Sequence, residues 1–525
     1  MKRMYAALKA IFFFLSMLIS FNLFSQEDMN ESGLVPNSVN PSPDYYCTWQ
    51  TQKYYTNAAD PVVMRNNIIE ANLFGTLPYQ GWLNFYPKVR GDLFIVMDDS
   101  WDIPLKGDGS GYFGSLVLNS ERFPDYAKEG VSNQEALKHL NNDVKSKGWK
   151  GLGGWVCAQE APNFINGKTR QEYWIERAKW ADYAGLAYWK VDWGKQIYDY
   201  SFRKLLTDIA HQYAPGLTVE QAQIDTVIPV SDVFRTYDVP AILSIPMTMK
   251  KLKNTLPFTP ENGYKGLICA EDEVYIAAAL GCTMGVMRHP MAGNLPNGKP
   301  DPSFPEIHRN IKTKIDEVTR AVRWHRIAPA FAVNAAETYI DSVKLTDSWQ
   351  LQNMDEEIES WWFEPWTGFK KIGNVISESG PARISRGIPL PLVKPDENGD
   401  VPFVVAAKNP GGAVSIATSG RTRDRKYWIP YCDISINSDS ATVFGIFGYY
   451  KSLTLNTTLN LINTKIKVQD LAGKVVKDIT NRITKDANRI IIPGKVITEI
   501  GTGEQTPGDT SDPGLVLVIY GTNAL

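Results

Sequence analysis

The chain has 525 residues, 43% of them hydrophobic and 21% charged, which excludes a disordered or collagen-like polypeptide and leaves room for about two to four domains. Its 55 Lys and Arg against 57 Asp and Glu give a formal charge of −2, and without the three cations of the first 25 residues the remainder stands at −5. A mildly acidic chain carries no electrostatic footprint for nucleic acid. The N-terminus reads as a targeting segment: residues 1–9 are basic, and residues 10–24 form an apolar run too short for a membrane span. Leu23 and Ser25 precede Gln26, so residues 1–25 are expected to be a signal peptide removed after Ser25. That predicts an exported protein, periplasmic or secreted, with no membrane span once the peptide is gone. No cysteine lies near the cleavage point to carry a lipid. Residues 26–43 are polar, contain three prolines and read as a linker.

The body alternates strand-like and helix-like segments. Residues 93–97 (LFIVM) are a continuous apolar run, as for a strand buried on both faces, and end at Asp98-Asp99-Ser100-Trp101. Residues 132–146 predict a helix: Ser132 is placed to cap it, Glu135 follows three residues on, and Leu137, Leu140 and Val144 share a face. Residues 151–157 (GLGGWVC) predict a strand, and 172–183 a helix striped by Trp174, Ile175, Ala178 and Ala181. Residues 186–193 (LAYWKVDW) are strand-like, 202–213 helical, and 217–220 and 227–234 further strands. Repeated β-α-β over roughly 300 residues predicts an α/β fold, a (β/α)8 TIM barrel over residues 44–345. From about residue 350 to 525 helix patterns nearly vanish. Short strand-like runs at 442–449, 452–461, 465–471, 489–492 and 514–520 predict a C-terminal antiparallel β-sandwich domain.

Polar residues at barrel strand ends carry the chemistry, because the C-terminal ends of the strands form the mouth. Along residues 188–193 the alternation aims Tyr188, Lys190 and Asp192 one way and Trp189, Val191 and Trp193 the other. Burying a cation and a carboxylate together is costly unless they pair or are used in chemistry, so both a structural pair and a catalytic pair fit. Asp98 and Asp99 fit either turn chemistry or a site. Trp49 fits either the core or a sugar platform, since flat aromatic faces match the apolar faces of sugar rings. The chain is rich in such faces, with 15 Trp, 24 Tyr and 21 Phe. Five cysteines (Cys47, Cys157, Cys269, Cys282, Cys432) include no CxxC, and five histidines show no zinc spacing. No metal or organic cofactor is expected.

Six segments in order resemble glycoside hydrolase family 27, the α-galactosidase group, and its clan relatives in family 36. Tyr46-Cys47-Thr48-Trp49-Gln50 resembles the opening G-W-x-x-W strand, with Tyr46 and Trp49 at the aromatic positions. Gly81-Trp82 followed by FIVMDDSW (94–101) resembles the G-W…D-D-x-W segment. LVLNSERFP (116–124) and LKHLNNDVKSKGWKGLGG (137–154) resemble the next stretch, with Trp155 where a Tyr is usual. YWKVDW (188–193) resembles the nucleophile motif Y-x-K-x-D-W. Val219-Glu220 falls where a strand-end Glu contacts the sugar, and FRTYDV (234–239) resembles W-R-x-x-x-D-I. The likeness covers about residues 44–290. The chain departs from the family at three points: Gly194 replaces the Cys that would pair with Cys157, Arg235 to Asp238 is one residue short, and residues 268–290 lack N-D-P-D-M.

The resemblance implies a retaining glycosidase with a carbohydrate substrate, Asp192 as nucleophile and Asp238 as acid/base, with Asp232 as the alternate across the shortened spacing and Glu271 or Asp272 next. It implies that Asp98 and Asp99 grip two hydroxyls of one sugar, that Glu220 and Arg235 fix the hydroxyl at C2, and that Trp49 and Trp155 stack on or wall the ring. Lys190 is expected to keep Asp192 ionised and to donate to a sugar hydroxyl. The leading substrate is a terminal α-D-galactoside. Open alternatives are an α-N-acetylgalactosaminide, a β-L-arabinopyranoside or an α-glucan, a glycan-binding protein on the same fold, and a purely structural surface protein.

Overall fold

Short apolar runs that stop at polar residues become the staves of a closed barrel. The computed structural model describes residues 33–54, 64–76, 80–106, 108–236, 242–271, 273–288, 290, 314–351 and 370–521. Eight parallel strands follow one another around the sheet: β1 (Tyr45–Cys47), β2 (Phe94–Met97), β3 (Gly151–Val156), β4 (Tyr188–Val191), β5 (Thr218–Gln221), β6 (Val233–Arg235), β7 (Leu267–Cys269) and β8 (Gly285–Val286). β8 returns to β1 with Tyr45 opposite Gly285. Thr283, two residues ahead of β8, closes the ring on β7: its N–H donates to the Ile268 carbonyl at 2.8 Å and its carbonyl accepts from Ala270 N–H at 3.0 Å.

The strands are buried on both faces, and the alternation sorts their side chains into two layers. Tyr45, Cys47, Val96, Tyr188, Val233, Leu267, Cys269 and Met287 fill the barrel interior. Tyr46, Ile95, Leu152, Trp189, Val219, Phe234 and Ile268 face the surrounding helices. Those helices include α1 (Asn133–Ser146), α2 (Arg170–Ala184), α3 (Tyr200–Tyr213), α4 (Ser244–Thr255), α5 (Val274–Leu280) and α6 (Ile315–His325). Ser132 Oγ accepts from Glu135 N–H and caps α1 as expected. A capping box of Thr169 and Glu172 starts α2 two residues before the expected point, and Gly185, at φ 65°, ends it. The strand expected over 227–234 is mostly absent. Residues Asp225–Val230 form a 3-10 turn around Pro229, which has no N–H for a ladder, and only Val233–Arg235 pairs.

The second domain is a sandwich. An eight-stranded sheet and a five-stranded sheet share one core, with Val404, Ile416, Ile446 and Leu517 on one side and Ile434, Leu453, Ile490 and Ile492 on the other. Most strand pairs are antiparallel, while Arg383–Arg386 with Phe403–Lys408, Val414–Ser419 with Val443–Phe447 and Asp433–Asn437 with Ser452–Asn456 run parallel. The domain begins earlier than residue 350, since Thr338–Ile340 is already the edge strand of the large sheet. The outer face of that sheet packs on the barrel through Val405, Ala417, Phe447 and Val516. Buried Arg386 caps the end of α5 by donating to the Leu280 carbonyl at 2.8 Å, and Arg320 of α6 meets Asp470 at 2.9 Å.

The described part of the expected linker is docked chain. Leu34 and Val35 are buried, and Leu34 N–H donates to Gln469 of the sandwich at 2.6 Å. Pro36, Asn40 and Ser42 are held at the barrel's lower rim by Arg326 and Lys150, at 2.7 to 3.2 Å. Asp44, just before β1, accepts from Met284 N–H and pairs with the buried His325 at 2.7 Å. Polar composition reads as a spacer, but these polar groups satisfy strand and helix ends underneath the barrel. The segment expected to be a signal peptide lies outside the described residues. Among those described, no helix is long and apolar enough to cross a membrane.

Candidate active site

The inward side chains of β1, β4, β5 and β6 converge on one buried guanidinium. Arg235, at the end of β6, lies 3.2 Å from Glu220 of β5, 3.7 Å from Glu271 beyond β7 and 3.1 Å from Asp192 beyond β4. The Tyr45 hydroxyl of β1 lies 3.1 Å from Glu220 and 2.9 Å from Glu271, with one proton to share between them, and Tyr188 of β4 donates to the second Glu220 oxygen at 2.7 Å. Two glycines make room for this layer. A Cβ at Gly285 would stand 2.6 Å from the Tyr45 hydroxyl and 2.9 Å from Glu271 Cγ, and one at Gly153 would stand 2.6 Å from Tyr188 Cβ. Burial holds Glu220 above the ordinary carboxylate range although Arg235 and Lys190 pull it down.

Asp192 sits on top of that layer. Its Oδ1 accepts from Gln223 at 2.6 Å and faces Arg235 at 3.1 Å, while its Oδ2 accepts a longer 3.2 Å bond from Trp155 Nε1. Burial alone would raise this carboxyl, but Arg235 and then Lys190, with the Gln223 hydrogen bond, hold it well below the usual range. Asp192 is an ionised carboxylate fixed through both oxygens. Gln223 reaches it from a left-handed backbone, φ 86°, which a residue with a Cβ adopts only when its surroundings over-determine it.

Beside it, Lys190 Nζ donates to Asp98 Oδ2 at 2.7 Å, and the Cys47 thiol donates to the same oxygen at 2.9 Å. Asp98 Oδ1 accepts from Asp99 N–H at 2.8 Å. Asp99 is taken in turn by Arg65 at 3.1 Å and by the Ser100 hydroxyl at 2.7 Å, with Ser100 itself at φ 83°. Burial, opposed by Arg65 and Ser100, pushes the Asp99 carboxyl up to about 6. The Arg65 guanidinium lies 5.3 Å over the Phe113 ring and 5.4 Å over Trp193. Trp193 meets Trp155 at 5.3 Å and Phe113 at 5.0 Å, forming an aromatic wall that ends on Asp192.

The structure therefore gathers Asp98, Asp99, Trp155, Lys190, Asp192, Glu220 and Arg235 at the C-terminal ends of β2 to β6. Their partners differ from the expected ones. Lys190, expected to keep Asp192 ionised and to donate to a sugar hydroxyl, helps depress Asp192 and gives its hydrogen bond to Asp98. Glu220 is fully buried beneath Arg235 and serves as its holder. Trp49 begins the Trp49–Tyr54 helix and packs half-buried on the barrel's interior layer. Tyr46 faces outward to Phe85, Tyr86 and Trp149, and Tyr45 takes the inward place. Trp193, expected to point away from Asp192, joins the wall because β4 stops at Val191 and strand alternation stops with it. Asp238 and Asp272 lie outside the described residues. Asp232 precedes β6 and accepts from Val219 N–H at 3.0 Å and from His211 at 2.8 Å, at the opposite end of the strand from Arg235. Cys157 and the other four cysteines are free. Glu220, Cys269 and Glu271 bring ligand atoms within 4.8 Å of one another, but Arg235 and the Tyr45 hydroxyl already occupy the charge and hydrogen-bonding role a cation would take.

Sequence reasoning missed Arg65, Gln223, Phe113 and Tyr45. No motif marks them, and each comes from a loop or a strand start that only the closed ring brings to the mouth.

No protein-family model matches the chain, and no curated protein matches it. Among solved structures, it is similar to a Bacteroides fragilis protein provisionally described as an α-galactosidase, at 10% identity over 92% of this chain and 80% of that one, TM-score 0.38. It is similar to a GH27 β-L-arabinopyranosidase from Geobacillus stearothermophilus in complex with arabinose, at 11% identity over 92% and 98%, TM-score 0.41. An Anoxybacillus α-amylase matches at 10% identity over 92% and 99%, TM-score 0.42. At such identities and TM-scores these likenesses assign neither a family nor an activity.

Proposed function

We propose that the chain is an exported retaining glycoside hydrolase that acts on terminal α-D-galactosides of oligo- or polysaccharides, with Asp192 as nucleophile. The observation that carries this reading is the Asp192 carboxylate: ionised, almost wholly buried, and fixed by Arg235, Gln223 and Trp155 at the mouth of a barrel beside an aromatic wall. Nucleophilic displacement at an anomeric carbon needs an anion that is deprotonated and does not swing. Oδ2, with its single long bond to Trp155, is the oxygen free to attack. Attack forms a glycosyl ester and expels the leaving oxygen, which takes a proton from an acid across the ring. A water then gives that residue a proton and opens the ester with retention. Asp238, three residues past β6, is assigned the acid/base role. Trp193, half-buried and backed by the buried Trp155 and Phe113, is the ring of this wall available to a sugar.

The test is turnover of 4-nitrophenyl α-D-galactopyranoside, with the first-formed anomer read by NMR. Retained α-galactose from wild type, and loss of at least about a thousandfold in Asp192→Asn, are expected, since an amide cannot form the ester. Inverted product overturns the retaining mechanism, and sugar binding without turnover replaces hydrolase with glycan-binding protein. Export is tested by N-terminal sequencing of secreted material, which should begin at Gln26.

A further inference from the structure

The Asp98–Asp99 pair is the obvious acceptor for sugar hydroxyls, yet its oxygens are committed inside the protein. Asp98 accepts from Lys190, Cys47 and Asp99 N–H, and Asp99 from Arg65 and Ser100. The group left facing the mouth is a cation. Arg65 has 21% of its side chain exposed and pairs with Asp99 through Nε. Among the described residues its two terminal nitrogens take no hydrogen-bond partner. Its guanidinium carbon lies 5.3 Å from the centre of the Phe113 ring and 5.4 Å from that of Trp193, whose neighbour Trp155 touches Asp192. A guanidinium braced on aromatic faces, with its outer fork of N–H groups open, matches the planar two-oxygen edge of a carboxylate or sulfate, and it offers little to a single neutral hydroxyl.

We propose that Arg65 selects a glycoside bearing an anionic group, a carboxylate or a sulfate ester, on the portion of the substrate that lies against the Phe113–Trp193 wall. This rests on the glycosidase reading of the same mouth and adds the class of substrate. A merely structural Arg65, fastening its loop to Asp99, predicts no discrimination between charged and neutral sugars.

The experiment measures wild type and Arg65→Met in two arms. In the first, thermal unfolding is followed with D-galactose, D-galacturonate and D-galactose 6-sulfate at 50 and 300 mM salt. In the second, turnover of 4-nitrophenyl α-D-galactoside is compared with that of 4-nitrophenyl α-D-galacturonide. Wild type should bind one of the two anions about tenfold or more tightly than galactose, less so at high salt, and the better anion identifies carboxylate or sulfate. Arg65→Met should bring the ratio to about one, with Arg65→Lys between, because an ammonium keeps the charge and loses the fork. Equal binding of galactose and both anions by wild type overturns the proposal without any variant, and so does an anion preference that Arg65→Met leaves intact. Turnover of the neutral galactoside with no anion preference removes this inference and leaves the hydrolase standing. Arg65-dependent anion binding with no turnover does the reverse.

Discussion

Arg235→Gln removes the guanidinium that three buried carboxylates share, and its consequence should depend on pH. At 3.1 Å and an effective dielectric of about 20, the Arg235–Asp192 attraction is about 5 kcal/mol, several pKa units in principle. In wild type the Asp192 carboxyl is depressed, so its contribution to stability is present above the unfolded value near 4 and is lost as pH falls through the folded value. Without Arg235, burial dominates and raises Asp192, and Glu220, already raised, goes higher. Raised carboxylates contribute stability that is present below about pH 4 and lost as pH rises through their folded values. Both effects widen the gap as pH rises, the wild-type one below about pH 4 and the variant's above it, so between pH 4 and 8 the gap should be smallest at pH 4 and reach about 3–5 kcal/mol near pH 7, the usual loss when one partner of a buried ion pair is removed. Urea unfolding followed by tryptophan fluorescence from pH 4 to 8 at fixed ionic strength reads this directly and needs no substrate. A gap that stays constant within about 0.5 kcal/mol across that range would refute charge compensation and make Arg235 a packing residue.

Gly285→Ala pushes a methyl into Tyr45 and Glu271 and should cost about 1–3 kcal/mol by chemical unfolding, with lowered turnover because the Arg235 layer shifts under Asp192. Asp102, buried and pushed up to about 7, should make wild type lose stability as pH rises from about 4 through 7. Asp102→Asn should remove that slope and gain up to about 4 kcal/mol at pH 8, and an unchanged slope in the variant would sink the assignment. Asp238→Asn should retain turnover better on 4-nitrophenyl than on natural galactosides and be accelerated by azide. Asp232→Asn, altering the far end of β6, should cost stability and show no azide effect, and the opposite pattern would move the acid/base role.

The barrel was legible because its strands are continuous apolar runs ended by charges, and its first helices carry capping residues at the expected spacing. Asp98, Lys190 and Asp192 stood out as charges on strands that are otherwise apolar. Their pairing did not, because which cation meets which carboxylate depends on ring closure and register. Lys190 is two residues from Asp192 in sequence, yet it bonds across the barrel to Asp98. Tyr45 and Tyr46 are equally aromatic, and only the register with Gly285 decides which faces inward. Gln223 and Arg65 belong to loops, where periodicity says nothing. The strap over residues 33–44 was misread because polar residues that cap buried ends look, in composition, like a solvated spacer.

That strap also fixes a direction. It runs beneath the strand starts, from the sandwich at Gln469 to the entry of β1, and Asp92, Lys150, His325 and Arg326 hold it there. The Asp192 ends of the strands lie on the other side of the ring. An affinity tag, a fluorescent protein or a solid support joined directly at Gly33 therefore sits beside Gln469, on the side of the strand starts. Protein immobilised there presents the Asp192 mouth away from the support, so a large ligand can approach it without meeting the surface to which the protein is attached.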